Sequence, residues 1–195
     1  MRKLVPWLGG KRALARRIAA SLPPHTCYAE PFSGGASVFF AKPPSTVEVL
    51  NDKHLGLVNL FRVVQRHPET LAEDIRAIHD RLRGVVLECL DFEAILRRYD
   101  RPHTLFYCDP PYYGLTGYGP RLPFGREDHE RLAVLLKAVK GRFILSINDD
   151  PLIRDLYAWA RTERATVRYT VGRKKTGKTS AELAIRNFKA RKGRR

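Results

Sequence analysis

Apolar residues recur along the chain in two rhythms, one of helical spacing and one of short buried runs. Leu14, Ile18 and Leu22 sit about one turn apart with arginines between them, which predicts an amphipathic helix over Arg12–Leu22. Pro23 and Pro24 end it. The stretch ending at Glu30 predicts a short strand, followed by a glycine turn and a helix start through Ser37–Ala41. Val47–Asp52 predicts a second strand with its acidic end at Asp52. Leu57, Leu60, Phe61 and Val64 mark the apolar face of a helix over Leu55–His67, and a shorter helix is predicted over Glu69–Leu82.

The run Val85–Phe92 predicts a strand ending at Asp91, and Phe92–Tyr99 a helix. Leu105–Asp109 is an apolar strand that runs into Pro110 and Pro111, and a loop rich in Gly, Tyr and Pro follows from Tyr113 to Gly125. Glu127–Val139 predicts a helix, Arg142–Asp150 a strand, and Pro151–Ala160 a helix. Two strand-like runs, Ala165–Val171 and Ala181–Phe188, close the pattern around a basic loop.

Strands separated by helices at this spacing argue for an α/β fold with a mainly parallel sheet, and the last two runs add a C-terminal antiparallel hairpin. In such sheets ligands collect at the carboxyl ends of the strands. Glu30, Asp52, Asp91, Asp109 and Ser146 all fall at predicted strand carboxyl ends.

Composition narrows the partners. The 195 residues are one domain's worth, expected to span 1–188 with a minimal helical insert around 69–82 and a basic tail at 189–195. A formal charge of +16 exceeds what solubility needs and favours a polyanion such as nucleic acid, with an anionic membrane or a basic tail as the plainer readings. No run approaches a signal peptide or a membrane span, so a soluble, cytoplasmic protein is expected. Cys27, Cys89 and Cys108 are too few and too widely spaced for a disulfide framework, and the six histidines lack metal-ligand spacing, so no metal is expected.

The sharpest chemical signal is Asp109-Pro110-Pro111-Tyr112 at the end of an apolar strand. An exocyclic amine on a nucleobase is a poor nucleophile because its lone pair is delocalised into the ring. A carboxylate from Asp109 and the carbonyl of Pro110, held by the rigid dipeptide, suit the two N–H groups and favour a tetrahedral nitrogen. Tyr112 offers a face on which a flipped-out base can stack. Taken alone, the tetrapeptide is also a plain strand-to-loop turn.

Glu30-Pro31-Phe32-Ser33-Gly34-Gly35 is the second signal. Glycines at a strand-to-helix turn let backbone approach a ligand, and the segment is neither a phosphate loop nor a dinucleotide fingerprint. An acidic residue beside open backbone suits a zwitterionic, sulfonium-bearing ligand. Asp52, one strand later, stands where a carboxylate grips ribose hydroxyls in nucleoside-binding folds. Either acid is equally at home as a capping residue on an ordinary turn.

The pieces occur together and in order: PWLGGK at 6–11, EPFSGG at 30–35, ND at 51–52, DF at 91–92, DPPYYG at 109–114 and SIND at 146–149. In this the chain resembles the Dam-like DNA adenine N6-methyltransferases over most of its length. The resemblance implies a Rossmann-like methyltransferase sheet and S-adenosylmethionine as cofactor. It assigns Trp7, Gly9 and Lys11 to the amino-acid end of that cofactor, Glu30, Phe32, Gly34 and Gly35 to its methionine part, Asp52 to its ribose, and Asp91 and Phe92 to its adenine. Asp109, Pro110, Pro111 and Tyr112 match the family's catalytic motif residue for residue, with Asp109 also bordering the cofactor.

Two departures stand out. Ala36 occupies the place of a third glycine and is expected to tighten the turn. The span between Asp52 and Asp91 has room for about one helix, where relatives that read a short sequence carry a sizeable recognition insert. A stripped-down enzyme with relaxed sequence preference is expected, a form that suits a phage or a restriction-modification setting. DNA, double-stranded by preference, would then be held by Arg173, Lys174, Lys175 and Lys178, by the tail, and by the loop carrying Tyr113, Tyr118 and Arg121. The alternatives are methylation of an RNA amine or a glutamine side chain, and a nonenzymatic basic nucleic-acid binder.

Overall fold

The computed structural model describes residues 12–67, 73–114, 124–168 and 179–189. Its seven strands are β1 (Cys27–Glu30), β2 (Val47–Asn51), β3 (Val86–Glu88), β4 (Thr104–Cys108), β5 (Arg142–Asn148), β6 (Arg161–Arg168) and β7 (Thr179–Arg186). They form one sheet in the order β3-β2-β1-β4-β5-β7-β6. The five N-terminal strands are parallel, while β7 pairs antiparallel with both β5 and β6. The α/β fold and the C-terminal hairpin are therefore as the hydrophobic pattern predicts.

The helices are α1 (Arg12–Ser21), α2 (Leu55–Arg66), α3 (Glu73–Leu82), α4 (Phe92–Tyr99), α5 (Arg126–Ala138) and α6 (Pro151–Leu156). They cover both faces of the sheet. On one face Ala15, Leu57, Phe61, Ile78 and Leu82 pack against Tyr28, Leu50, Leu105 and Ile144. On the other Leu96, Leu132, Leu136 and Ile153 pack against Ala29, Val49, Phe106 and Leu145. Strands buried on both faces read as continuous apolar runs, which is why β4 is buried along its whole length.

α3 is part of the core layer. Ile78 and Leu82 are buried in it, and Arg81 donates to both oxygens of Glu48 on β2 while lying 3.7 Å over the Phe39 ring. Lys42 Nζ completes the group at 2.6 Å from Glu48 Oε1. A buried carboxylate with two cationic partners is satisfied, and loss of Glu48 would leave the Lys42 and Arg81 charges uncompensated.

Several boundaries differ from expectation for identifiable reasons. The helix start at Ser37–Ala41 is only a 3₁₀ turn, Phe39–Ala41, because Pro43 and Pro44 follow at once and bar continuation. The strand expected to reach Asp91 stops at Glu88, and Asp91 is instead the N-cap of α4. Ser146 lies inside β5 rather than at its end, which is Asn148. β6 starts at Arg161, earlier than the apolar run, because an outer strand needs no buried face, and Arg161–Arg164 are exposed.

Among the described residues no helix is long and apolar enough to cross a membrane.

Candidate active site

Chain order along the sheet runs outward through β1, β2 and β3 on one side and through β4 and β5 on the other, so the crossover reverses between β1 and β4. That reversal leaves a crevice outside the carboxyl ends of these two strands, the usual ligand position in such sheets. The segment Glu30–Gly35 leaves β1 at one lip of this crevice, and Asp109–Tyr112 leaves β4 at the other.

The β1 lip turns through left-handed backbone. Gly34 has φ +46°, and its N–H donates to Asp52 Oδ2 at 2.8 Å. Asp52 Oδ1 accepts from His54 N at 2.9 Å, so one carboxylate at the end of β2 pins the glycine turn. Burial pushes the Asp52 carboxyl upward, and the two N–H donors at His54 and Gly34 oppose this. Ala36 has φ +50°, the left-handed region that costs an L-residue about 1–2 kcal/mol. That is what the third glycine would relieve; the substitution strains the turn rather than simply tightening it.

Glu30 is only 1% exposed. Its Oε1 accepts from Tyr28 Oη at 2.7 Å and from Phe39 N at 2.9 Å. The expectation of an acid opposite a cationic ligand therefore meets a buried brace under the glycine turn. Burial pushes its carboxyl up to about 8, against the lowering influence of Tyr28 and Phe39, and the Asp109 charge adds to the rise. At pH 7 the folded protein thus holds a proton that the unfolded chain, with a carboxyl near 4.5, releases.

A pH dependence follows. Between about 4.5 and about 8 the native state binds more protons at Glu30 than the unfolded state does. Its contribution to stability is complete below that window and is lost as pH rises through it, with a slope of up to about 1.4 kcal/mol per unit. His129, held neutral by burial and lowered to about 4, acts oppositely, but only between about 4 and 6.5. Denaturant melts of Glu30→Gln from pH 6.5 to 8 should therefore give a flatter profile than the parent protein. An unchanged slope would contradict the assignment.

Asn51, unremarked in the sequence beyond its place in the ND pair, ties the loops after β1 and β3 to the end of β2. Its Nδ2 donates to Pro31 O at 2.9 Å and to Leu90 O at 3.0 Å, and its Oδ1 accepts from Leu90 N at 2.8 Å. Asp91 caps α4 through Glu93 N at 3.0 Å and meets Lys53 and Arg131 at 3.4 and 3.3 Å. Burial alone would raise its carboxyl, but the Glu93 N–H, Arg131 and Lys53 together hold it low. The Phe92 ring is 5.3 Å from Phe32 and 5.6 Å from Phe124, with the Arg131 guanidinium 4.4 Å away over it. Phe32, Asp91 and Phe92 are thus brought together, and Arg131 and Phe124 join them.

On the β4 lip, Asp109 is partly exposed and Pro110 is buried. Tyr112 is only 8% exposed, packed in the core and donating its hydroxyl to Glu182 Oε1. Most of the Tyr112 ring, expected as a stacking face, is covered by the protein. Tyr113 is half-buried, its ring edge-on to His129 at 5.6 Å. Its N–H and C=O are both bonded to the Asn148 side chain, at 3.1 and 3.0 Å. His129 is fully buried. Trp7, Gly9, Lys11, Tyr118, Arg121, Arg173, Lys174, Lys175 and Lys178 lie outside the described residues, and of the tail only the exposed Lys189 lies within them. Among the described residues no group of three or more His, Cys, Asp or Glu could hold a metal ion.

The family model for D12 class N6 adenine-specific DNA methyltransferases matches residues 7–83 and 73–171. The chain belongs to that family. Membership favours adenine in DNA over the RNA-amine and nonenzymatic alternatives. A relative of this D12 methyltransferase is the type II methyltransferase M.CviBI of Paramecium bursaria Chlorella virus NC1A, 22% identical over 226 residues that cover 80% of this chain and 86% of that one. A second is the DNA adenine methylase of Serratia marcescens, 30% identical over 134 residues that cover 64% of this chain. The D12 chain spans about half, 49%, of the Serratia enzyme's length. Its fold is similar to that of SMU.472, solved as a complex with SAH, with a TM-score of 0.60 at 10% identity over 91% of this chain and 52% of that one.

Proposed function

We propose that this D12-class enzyme activates the N6 amine of adenine at the tip of β4, acting on double-stranded DNA with little sequence discrimination. The observation that carries the reading is the position of Asp109, a partly exposed carboxylate directly beyond β4 on the crevice where strand order reverses. Across that crevice stands the glycine turn fixed by Asp52.

In this reading the Asp109 carboxylate accepts one N–H of the amine and the Pro110 carbonyl accepts the other. Two acceptors so placed draw the lone pair out of the ring and toward tetrahedral geometry. The proline rings fix φ at both positions, so the carbonyl direction does not wander. Once the nitrogen has gained a methyl group it carries a positive charge and a surplus proton, and the Asp109 oxygen already bonded to that N–H receives it.

S-adenosylmethionine fits the neighbouring groups. Gly34 and Gly35 leave backbone open, and each Asp52 oxygen accepts one N–H and keeps a further lone pair for a ribose hydroxyl. Phe32 and Phe92 supply apolar rings for a purine, with Asp91 beside them. Trp7, Gly9 and Lys11 are assigned to the amino-acid end. When bound, the cofactor supplies an electrophilic methyl group on its sulfonium.

Relaxed specificity follows from how the span between Asp52 and Asp91 is used. The buried faces of α2 and α3 in this span are committed to the core through Leu57, Val58, Phe61, Ile78 and Leu82. DNA is held instead by phosphate contacts from Arg173, Lys174, Lys175 and Lys178 and from the tail, with Tyr113, Tyr118 and Arg121 near the base, and binding weakens steeply with salt. Mapping methylated adenines across a long random duplex should return a short, degenerate site. Strict confinement to one longer site would defeat this part of the proposal.

A further inference from the structure

Two side chains given no role so far, Asn148 in the SIND run and Glu182 on β7, hold the catalytic segment from its far end. β5 and β7 run antiparallel, and in their register Asn148 faces Glu182. Side chains of directly opposed residues project from the same face of a sheet. Each member of this cross-strand pair bonds one of two successive residues of the β4 exit. Glu182, 2% exposed, accepts from Tyr112 Oη. Asn148 Oδ1 accepts from Tyr113 N at 3.1 Å while its Nδ2 donates to Tyr113 O at 3.0 Å.

The Asn148 contact does for Tyr113 what a neighbouring strand does in a ladder, satisfying N–H and C=O of one residue together. Asparagine is suited to it because its amide carries a donor and an acceptor side by side. The segment from Asp109 to Tyr113 is therefore fixed at both ends, by β4 before Asp109 and by the β5–β7 pair after Pro111. Between these anchors the two prolines leave little freedom. The direction of the Asp109 carboxylate and the Pro110 carbonyl is then set partly by residues that touch neither.

We propose that Asn148 and Glu182 are positioning residues for methyl transfer, acting through Tyr113 and Tyr112 on the acceptors for the target amine. The inference rests on the role assigned to Asp109 and Pro110. It also gives the C-terminal hairpin a function: β7 carries one half of the clamp, some seventy residues from the segment it holds.

The test compares kcat at saturating cofactor, the dissociation constant for S-adenosylhomocysteine and the melting temperature in Asn148→Ala, Asn148→Asp, Glu182→Ala and Glu182→Gln. A misplacement of the order of an ångström costs up to about a hundredfold in rate, so Asn148→Ala and Glu182→Ala should each lower kcat by about ten- to hundredfold. Product affinity should stay within a few-fold, since the Asp52 side of the crevice is untouched. Glu182→Gln, which keeps an acceptor for Tyr112, should recover most of the rate, and Asn148→Asp, which loses the donor to Tyr113 O, should not. If Glu182→Ala does not fold, Tyr112→Phe removes the same bond and should show the same fall in kcat. Asp109→Ala measured alongside separates the two ideas. Normal turnover in it removes the amine-activating role itself. Lost turnover in it, with kcat within twofold of the parent in Asn148→Ala and in Glu182→Ala or Tyr112→Phe, overturns the clamp alone. Equal losses of kcat, product affinity and stability would likewise overturn it in favour of a purely structural role.

Discussion

Asp109→Ala should lower kcat by about a thousandfold, the range found when a preorganised acceptor or a general base is removed from a reacting centre. Asp109 is partly exposed and lies beyond the end of β4, so the sheet does not depend on it. Cofactor affinity should therefore change little, because the carboxylate that pins the glycine turn is Asp52. The variant keeps the Pro110 carbonyl as sole acceptor, which satisfies one N–H and leaves the amine free to stay planar. Asp109→Asn tests the charge separately: its amide oxygen still accepts, but it does not take up the surplus proton, and its rate should lie nearer the alanine variant than the parent. Single-turnover methyl transfer checks both, and near-normal rates in Asp109→Ala would remove the assigned role.

Asp52→Ala should produce the second largest effect, and on a different quantity. Its two oxygens accept from Gly34 N and His54 N, so truncation leaves two backbone donors without their partner and releases the turn. Each unsatisfied buried donor costs about 1–3 kcal/mol, and the loss of one such contribution from binding corresponds to a cofactor affinity about ten- to hundredfold weaker. With cofactor saturating, kcat should fall far less than in Asp109→Ala. Titration calorimetry with S-adenosylmethionine reads the difference, and an unchanged dissociation constant would refute the ribose assignment.

The sheet was legible because its strands are short apolar runs buried on both faces, a pattern that local sequence carries. The same local signal marked α4, where Phe92, Ile95 and Leu96 recur at helical spacing from an acidic cap. It misled at Val85–Asp91, where five apolar or neutral residues suggest a longer strand. There the N–H and C=O of Leu90 are taken by the Asn51 side chain instead of a neighbouring strand, and the chain is freed to turn into α4. No reading of residues 85–91 alone contains that information, because its source is on β2.

The site divides in the same way. Asp109–Tyr112 and the glycine turn announce themselves through prolines and glycines whose backbone limits are intrinsic. The residues that hold them, Asn51, Asn148 and Glu182, are ordinary polar residues whose partners lie far away in sequence. Glu30 shows the limit most clearly: its type and place suggest a ligand contact, while its burial and its bonds to Tyr28 and Phe39 make it a brace.

In the proposed mechanism a carboxylate and a rigid carbonyl beyond β4 activate adenine N6 to take the methyl group from the cofactor. The most direct measurement follows radiolabelled methyl from S-adenosylmethionine into duplex DNA in a single turnover, with the product digested to nucleosides. The label should appear as N6-methyladenine with the parent enzyme, and its transfer should be slowed about a thousandfold by Asp109→Ala. Label in another base, or equal rates in the two proteins, would contradict the mechanism.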